Sequence, residues 1–325
     1  MHHHFEPTVY YNSIGAHPAV LRVASGDRLT TTTVDAWGLD AERRQAAKRG
    51  NPMTGPFYVE GAEPDDVLAV TIESIVPSRA YGFTKTAVAP AIVDPSYVAQ
   101  LPPIETVEWS IDNTAGTVTL VAPKPASLPE LVLPLEPMLG CFGVAPPRGQ
   151  SISTATSGEW GGNMDYRQFG PGATVYFPVF EPGGLFHLGD AHAIQGDGEI
   201  CGNGVEVSTT TTVRFEVIKG WKIGWPRFER EIDGERWFGT VGNARPLDQA
   251  VQHATTEMLR WLGEPAIGFD PLGANLFLQQ AVRYDLGNVF DPAYTMVCRL
   301  ASRVLAGTGL GRSGVVRPSS SASGH

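Results

Sequence analysis

The 325-residue sequence is poor in the features that define several large classes of protein. It has no run of about 18 apolar residues, the length that a membrane helix needs. Lys and Arg number only 24 against 34 acidic residues, so the net charge is −10. Nucleic acids and anionic membranes are bound through clustered cationic side chains, and we therefore expect neither as a partner.

Cysteine is also scarce, with only three in the chain. An odd and sparse set, without the spacing of zinc ligands, argues against a disulfide framework and predicts a cytoplasmic protein. The sequence has no P-loop, no Gly-x-Gly-x-x-Gly fingerprint and no Gly-x-Ser-x-Gly elbow. Nucleotide-dependent chemistry is therefore not supported.

Glycine and proline are abundant, at 37 and 26 residues, and they favour turns and short strands over long helices. We predict a mainly β fold with jelly-roll-like sandwich or barrel parts, a smaller α+β section and C-terminal helices. The turn over residues 112–116 predicts one β-hairpin, and the turn over residues 61–66 predicts another. Residues 205–217 alternate through four threonines, which predicts a long, half-buried strand. Apolar residues recur at helical spacing in three late segments, residues 247–262, 271–286 and 292–305.

The length of the chain allows more than one domain. We predict an N-terminal β-rich domain over residues 5–145. A second β-rich domain over residues 146–306 would carry the catalytic residues and the helical section. The Gly/Ser-rich tail over residues 307–325 is predicted to be disordered.

Residues 187–206 form the most informative segment, because histidines, acids and amides are crowded there among glycines. No Lys or Arg neutralises these acids, so a bound cation is the first hypothesis. Asp190 and His192 are two positions apart, and a strand would present both side chains to the same side. The alternative for His192 is a hydrogen-bonded histidine of the core.

Further carboxylates follow in the same segment. Asp197 and Glu199 repeat the two-residue spacing, and one that does not bind metal could accept a proton from water. Asp197 fits a simple turn equally well. Glu206 is either an inward-facing ligand or a solvated residue at the edge of a strand. Cys201 is either a nucleophile or a structural cysteine, and its acidic neighbours disfavour a reactive thiolate.

Four segments follow one another in the order typical of one family of amide hydrolases. They are residues 51–64, Gly140-Cys-Phe-Gly-Val-Ala-Pro146, Gly161-Gly-Asn-Met-Asp165, and residues 189–199 with Cys201 and Glu206. On these motifs the chain resembles the acetamidase/formamidase family. The resemblance implies cleavage of the C–N bond of a small amide to a carboxylate and ammonia. It also implies a β-rich fold, a cytoplasmic homo-oligomer of two or more subunits, and a divalent metal such as zinc.

The chain departs from the family pattern in two loops. Asp35 is followed by Ala36-Trp37-Gly38, and Gly161 is preceded by Ser157-Gly-Glu-Trp160. We expect these loops to shape the substrate pocket.

These observations combine into the hypothesis of a metal-dependent hydrolase that acts on a small, neutral, linear amide. The residues expected to hold a divalent cation, zinc or alternatively calcium, are Asp35, Asp165, Asp190 and His192. Glu199 or Asp197 would move the proton of the attacking water, and Asn163 and Gln195 would hold the amide by hydrogen bonds. A pocket so acidic would repel substrates that carry a carboxylate.

Two other functions remain open from the sequence. One is a cysteine-dependent amidase that uses Cys201 as its nucleophile. The other is a β-sandwich protein without catalytic activity, which would bind calcium through the acidic loop.

Overall fold

The computed structural model describes residues 1–310 and shows a mainly β protein. The positions 311–325 of the predicted disordered tail lie outside the described residues. The strands are β1 (His2–Phe5), β2 (Ser13–Gly15), β3 (Leu21–Ala24), β4 (Arg28–Thr32), β5 (Thr54–Glu60), β6 (Val67–Pro77), β7 (Tyr81–Lys85), β8 (Thr106–Asp112), β9 (Thr117–Ala122), β10 (Val132–Pro134), β11 (Met138–Gly143), β12 (Ser151–Ser153), β13 (Ser157–Gly158), β14 (Gly161–Asn163), β15 (Thr174–Pro178), β16 (Phe186–His192), β17 (Thr209–Ile218), β18 (Arg227–Ile232), β19 (Glu235–Ala244), β20 (Arg283–Asn288) and β21 (Tyr294–Ala301). The helices are α1 (Leu247–Gly263), α2 (Pro271–Ala281) and α3 (Ser302–Ala306), and short 3-10 turns cover Pro90–Ile92 and Val98–Gln100.

The largest sheet has nine strands in the order β1-β4-β17-β6-β15-β18-β19-β21-β20. Its residues alternate between the two faces, as the two-residue period of a strand requires. In β17, Val213 and Phe215 are fully buried, whereas Thr212 faces outward and bonds the Thr30 hydroxyl across the strands at 2.8 Å. The threonine-rich alternation of this segment therefore formed a strand, as the sequence predicted.

A second sheet has six strands in the order β13-β14-β11-β16-β5-β3 and packs face to face on the first. The main core lies between them, where Phe142 and Phe186 of the smaller sheet meet Phe177 and Phe215 of the larger one. Each sheet ends in two edge strands within the described residues. The arrangement is therefore a sandwich, and no barrel closes within residues 1–310.

Two further layers complete the fold. Helices α1 and α2 cover the outer face of the large sheet, where Met258 and Trp261 pack against Phe238 and Leu300. The sheet β10-β9-β8-β7 has a separate small core around Trp109 and Val118. No helix within residues 1–310 combines the length and the apolar character that crossing a membrane requires.

Two local predictions were wrong, and a third was wrong in part, because the predicted helix 271–286 ends at Ala281 and is followed by β20. The segment 292–305 forms β21 followed by the short α3, because residues such as Val297 and Leu300 complete the large sheet beside β19. Strands β5 and β6 do not form a hairpin, because β5 pairs with β3 and β16 whereas β6 pairs with β15 and β17. The hairpin β8–β9 and the helix α1 are confirmed.

The division into two domains stays a prediction. The structure shows that strands from either side of residue 145 alternate in both large sheets. In the large sheet β6 lies between β15 and β17, and in the smaller sheet β5 and β11 flank β16. The two halves of the chain therefore share one hydrogen-bonded framework.

Candidate metal centre

Six side chains with metal-ligating atoms meet at the end of β16. They form three overlapping groups, and within each group the ligand atoms all lie within 4.8 Å of one another. The groups are Asp165, Asp190 and His192; His192, Glu199 and Glu206; and Asp165, Glu199 and Asp291. All six side chains are buried except Asp291, which is partly buried, so these residues could hold a metal ion.

Three elements bring the ligands together, and the backbone is strained where they do so. Asp190 and His192 end β16, Asp165 follows β14, and Glu199 lies in the loop after β16. Three of these acids adopt left-handed backbone angles, with φ of 44° at Asp165, 51° at Asp190 and 46° at Glu199. Side-chain-bearing residues seldom adopt this conformation, and such strain is concentrated at functional sites.

Gly140 of β11 makes the close approach of the acids possible. It lies opposite Asp190, between residues that pair with Gly189 and Ala191. A Cβ atom at this position would meet Asp165 Oδ1, and it would lie 2.8 Å from the Asp190 carbonyl oxygen and 3.0 Å from Asp190 Oδ2. The cradle around the two carboxylates therefore exists only because residue 140 has no side chain.

Four ligand atoms in the cluster are buried and have no hydrogen-bond partner. They are Asp165 Oδ1, Asp190 Oδ1, His192 Nε2 and Glu206 Oε2. His192 Nδ1 pairs with Gln195 Oε1 at 2.9 Å, and since that oxygen only accepts, the proton is on Nδ1. The other ring nitrogen then faces Glu206 Oε1 at 3.2 Å and Asp190 Oδ1 at 3.8 Å. Unpaired buried polar atoms are costly unless a ligand satisfies them.

The electrostatics of the cluster also favour a cation. Burial, followed by the charge of nearby carboxylates, raises the pKa of Asp165 and of Glu199 well above the usual range. Burial likewise raises the pKa of Asp190 and of Asp291 to about 6. Burial alone would lower the pKa of His192, but the Glu206 and Asp190 carboxylates raise it. So many acids can be ionised together only when positive charge compensates them.

Amide side chains fix the positions of the acids. Asn288 Nδ2 lies 2.7 Å from Asp165 Oδ2, 2.9 Å from Glu199 Oε2 and 2.8 Å from Asp291 Oδ2. Asn51 donates to Asp190 Oδ2 at 2.9 Å and to Asn163 Oδ1 at 3.2 Å. Asn163 in turn donates to Asp291. This network holds the carboxylates before any ligand binds.

A cavity of about 290 Å³ opens onto the cluster. Asp190, Glu199, Glu206 and Asp291 of the cluster line it. Asn203 also lines it, and its Oδ1 is a buried acceptor without a hydrogen-bond partner, while its Nδ2 donates to Glu206 Oε1 at 3.0 Å. The remaining polar and aromatic lining includes Trp37, Arg49, Asn51, Lys85, Asn163 and Phe290.

The Asp35 carboxylate pairs with groups outside the acidic cluster. Its Oδ2 pairs with the buried guanidinium of Arg79, and its Oδ1 accepts from the backbone N–H groups of Trp37 and Leu39, each at 2.9 Å. Both oxygens are therefore engaged in fixing a loop. This corrects its assignment as a metal ligand, although the loop itself lines the cavity through Ala36 and Trp37, as expected.

Two of the expected catalytic residues have different surroundings from those predicted. The Asp197 side chain is 61% exposed and lies 3.8 Å from Arg167, so it does not join the cluster and Glu199 remains as the base candidate. Gln195 is buried, and its amide is fully used: it pairs with His192 and donates to the carbonyl oxygens of Asp165 and Gly287. Gln195 therefore orients His192, and its amide does not face a substrate.

The structure also changes two other expectations. Cationic residues absent from the segment 187–206 are supplied by distant parts of the chain, since Arg49 and Lys85 line the cavity. The Cys201 thiol donates to the Asn203 carbonyl oxygen at 3.1 Å. No contact with a base is seen for it among the described residues, which disfavours a cysteine nucleophile.

Sequence reasoning missed several members of the site. Asp291 lies between two segments predicted to be helical, residues 271–286 and 292–305, and Asn288 precedes it at the end of β20. Asn51 begins one of the family-like motifs, and Glu206 was open between two interpretations, of which the inward-facing one is correct. The pairing of β20 with β21 that brings Asn288 and Asp291 to the cluster leaves no local signal in the sequence.

Comparison with known proteins gives consistent matches. A family model described as the acetamidase/formamidase family matches residues 148–238. The crystal structure of an acetamidase from Yersinia enterocolitica is 32% identical, has a TM-score of 0.80, and is matched over 94% of this chain and 93% of that chain. An acetamidase structure from Bacillus halodurans is 29% identical with a TM-score of 0.78, over 94% of this chain and 99% of that chain.

Curated relatives match over a smaller share of their length. The acetamidase of Mycolicibacterium smegmatis is 28% identical over 263 residues, which is 65% of this chain and 61% of that protein. The chain spans 52% to 62% of the length of the curated relatives that it matches.

Proposed function

Because the chain belongs to the acetamidase/formamidase family, we propose that it hydrolyses the C–N bond of a small linear amide with the help of a divalent metal ion. The products are a carboxylate and ammonia. One observation carries the proposal: four buried ligand atoms without hydrogen-bond partners converge beside a cavity of about 290 Å³. A merely structural cluster would pair such atoms within the protein.

Asp165, Asp190 and His192 would hold the cation. Their ligand atoms lie within 4.8 Å of one another, and each contributes one unpartnered atom. An imidazole combined with carboxylates suits zinc better than calcium, which prefers oxygen ligands alone. When bound, such an ion supplies Lewis acidity toward the amide carbonyl and toward water.

Glu199 is the residue proposed to move protons. Its Oε1 accepts from the Gly204 N–H at 3.1 Å and its Oε2 from Asn288, so the carboxylate is fixed at the wall of the cavity. It would take a proton from the attacking water as the new C–O bond forms. It would then pass that proton to the amide nitrogen as the C–N bond breaks, so that ammonia leaves and the acid product remains.

Two asparagines are proposed to contact the amide. Asn203 Oδ1 is an unpartnered acceptor at the cavity, so it can receive an N–H of the substrate. Asn163 lines the same cavity, and its hydrogen bond to the carbonyl end of the amide stays a prediction. Gln195 would not contact the amide; its hydrogen bond to His192 Nδ1 would hold the ring with Nε2 toward the ligand position.

We expect ammonia release from at least one of formamide, acetamide and propanamide, measured with the purified full-length chain alongside elemental analysis. Removal of the metal should abolish this release, and adding back zinc should restore it. Asp190→Asn should lower both the metal content and the rate by at least about a hundredfold, because it weakens a ligand. Activity that survives complete demetallation would refute the metal, and no release from any short amide would refute the hydrolase.

A cysteine mechanism predicts a different effect of substituting Cys201 than the metal mechanism does. Cys201→Ser should keep the rate of ammonia release within about threefold of the unaltered protein, because the thiol only bonds a backbone carbonyl. A nucleophile would lose several orders of magnitude on the same change. A loss of that size, with metal content unchanged, would favour the cysteine amidase.

The cytoplasmic location and the homo-oligomeric state both stay predictions. Light scattering on the purified protein measures the subunit number directly. A monomer at micromolar concentration would contradict the second of these expectations.

A further inference from the structure

We propose that the outer part of the cavity binds an anionic group of the substrate, so that preferred substrates are short amides bearing a carboxylate at the far end. The proposal rests on the amide hydrolysis proposed above and names its substrate class. Two cationic side chains, Arg49 and Lys85, carry it, because both line the same cavity as the acidic cluster. A dicarboxylic acid monoamide is the simplest molecule of this class.

The size of the cavity exceeds what the simplest amides need. Its volume of about 290 Å³ equals roughly ten water molecules at about 30 Å³ each. Acetamide has only four non-hydrogen atoms, so it would leave most of this space to solvent. Monoamides of four-carbon diacids have eight non-hydrogen atoms and reach beyond the cluster.

The two cations are oriented by aromatic rings and leave their N–H donors available. The Arg49 guanidinium lies over the Trp37 ring at 4.3 Å, and Trp37 stacks on Phe83 with ring centroids 3.8 Å apart. The Lys85 ammonium lies 5.5 Å from the centre of the Phe290 ring. Within residues 1–310 neither cation has a carboxylate within 4.0 Å, although the cavity they share is lined by four acids.

The negative and positive charges that line the cavity are at different depths. The carboxylates that line the cavity, here called its floor, are buried except for the partly buried Asp291, and the amide would react beside them. Arg49 is exposed and Lys85, at the end of β7, is partly exposed, so the cations lie nearer to solvent than the acids do. A substrate carboxylate would be repelled by the floor and attracted by the cations, so that the amide end enters first. A cavity of this kind would accept substrates with a carboxylate, contrary to the sequence-based expectation that the acidic pocket repels them.

A different role for the cations makes a different prediction. If Arg49 and Lys85 only offset the acidity of the floor, their removal would change the hydrolysis of neutral and anionic amides by the same factor. If they bind the substrate carboxylate, the anionic amide alone would lose the interaction. The ratio of the two specificity constants therefore separates the roles.

The experiment compares two amides of equal size with the metal-loaded full-length chain. Succinamate carries a terminal carboxylate, and 4-methylpentanamide carries an isopropyl group in its place. We expect kcat/KM to favour succinamate by at least about tenfold, since hydrogen bonds to a charged group are the strong ones. Arg49→Gln and Lys85→Gln should each reduce this ratio by about tenfold, and added salt should reduce it in the unaltered protein.

Two substitutions of exposed cations serve as matched controls. Arg22 is 59% exposed and pairs with Glu60, and Lys222 is 74% exposed and pairs with Asp65. Arg22→Gln and Lys222→Gln remove the same charges from other parts of the surface, so the succinamate preference should persist in both. A ratio near one in the unaltered protein, or one that Arg49→Gln and Lys85→Gln leave unchanged, would overturn the proposal.

Binding measurements keep this test separate from that of the hydrolase itself. If neutral amides are hydrolysed but the ratio shows no preference, only the anion site is refuted. If no amide is hydrolysed, titration calorimetry with succinamate still tests whether the cavity binds an anionic group. Saturable binding that weakens about tenfold in Arg49→Gln and Lys85→Gln supports the anion site, and no binding, or equal binding by the variants, refutes it.

Discussion

A Gly140→Ala variant is expected to fold normally, lose most of its bound metal and hydrolyse amides at least about a hundredfold more slowly. The added methyl group would occupy the space between Asp165 Oδ1 and the Asp190 backbone and carboxylate. One of the two carboxylates must then move, and displacements near 1 Å at a reacting centre cost about this factor. Elemental analysis, circular dichroism and the rate of ammonia release check the three parts of the prediction.

Gly196 provides the matched control for this substitution. It lies four positions beyond His192, yet a Cβ at Gly196 would meet no atom within 4 Å. Gly196→Ala should therefore keep both the metal content and the rate. Full metal content in Gly140→Ala would show that Asp165 and Asp190 do not hold the ion together.

An Arg227→Met variant is expected to lose about 3–5 kcal/mol of unfolding free energy. Arg227 is almost fully buried and donates to Glu257 Oε1 at 2.8 Å and to Glu264 Oε1 at 2.7 Å. Its guanidinium lies 5.2 Å from the Trp221 ring centre and 4.9 Å from that of Trp261. Substitution would leave Glu257, a buried residue of α1, without its main partner, and this is the costly part of the change.

A double-mutant cycle isolates that cost. Adding Glu257→Leu to Arg227→Met removes the stranded charge, so the double variant should be more stable than the single Arg227→Met protein. The exposed pair of Arg22 and Glu60 gives the surface comparison, and Arg22→Met should leave the free energy of unfolding nearly unchanged. Equal losses at Arg227 and Arg22 in denaturant titrations would contradict the assignment.

The expected site residues that the structure brings into the acidic cluster are those whose signal is local. Asp190 and His192 were found from their two-residue spacing, because β16 presents both to one side. Asp165 was found as the acid of a glycine-rich turn. The threonine alternation of β17 and the apolar spacing of α1 likewise gave the right elements, since each depends only on neighbours along the chain.

The errors concern pairing between distant segments. Asp35 was taken for a ligand because it ends a strand, but only the fold reveals that Arg79 neutralises it. Asp291 and Asn288 were missed because they lie between two segments whose apolar spacing predicted helices, whereas the fold places strands β20 and β21 there. Arg49, in a loop, and Lys85, at the end of β7, reach the cavity from positions about a hundred residues or more before the acidic segment, a relation that no local pattern contains.

The position of β6 has a consequence for how this protein is made. Both of its neighbours, β15 and β17, come from the second half of the chain, and the last of these residues is Ile218. About 140 residues separate the end of β6 from that point, so a ribosome adding 5–20 residues per second needs roughly 7–28 s to supply both partners. Both edges of this apolar strand of 11 residues are unpaired until β15 is made, and one edge stays unpaired until β17 is made. We therefore expect the nascent chain to depend on chaperones more than the finished protein does.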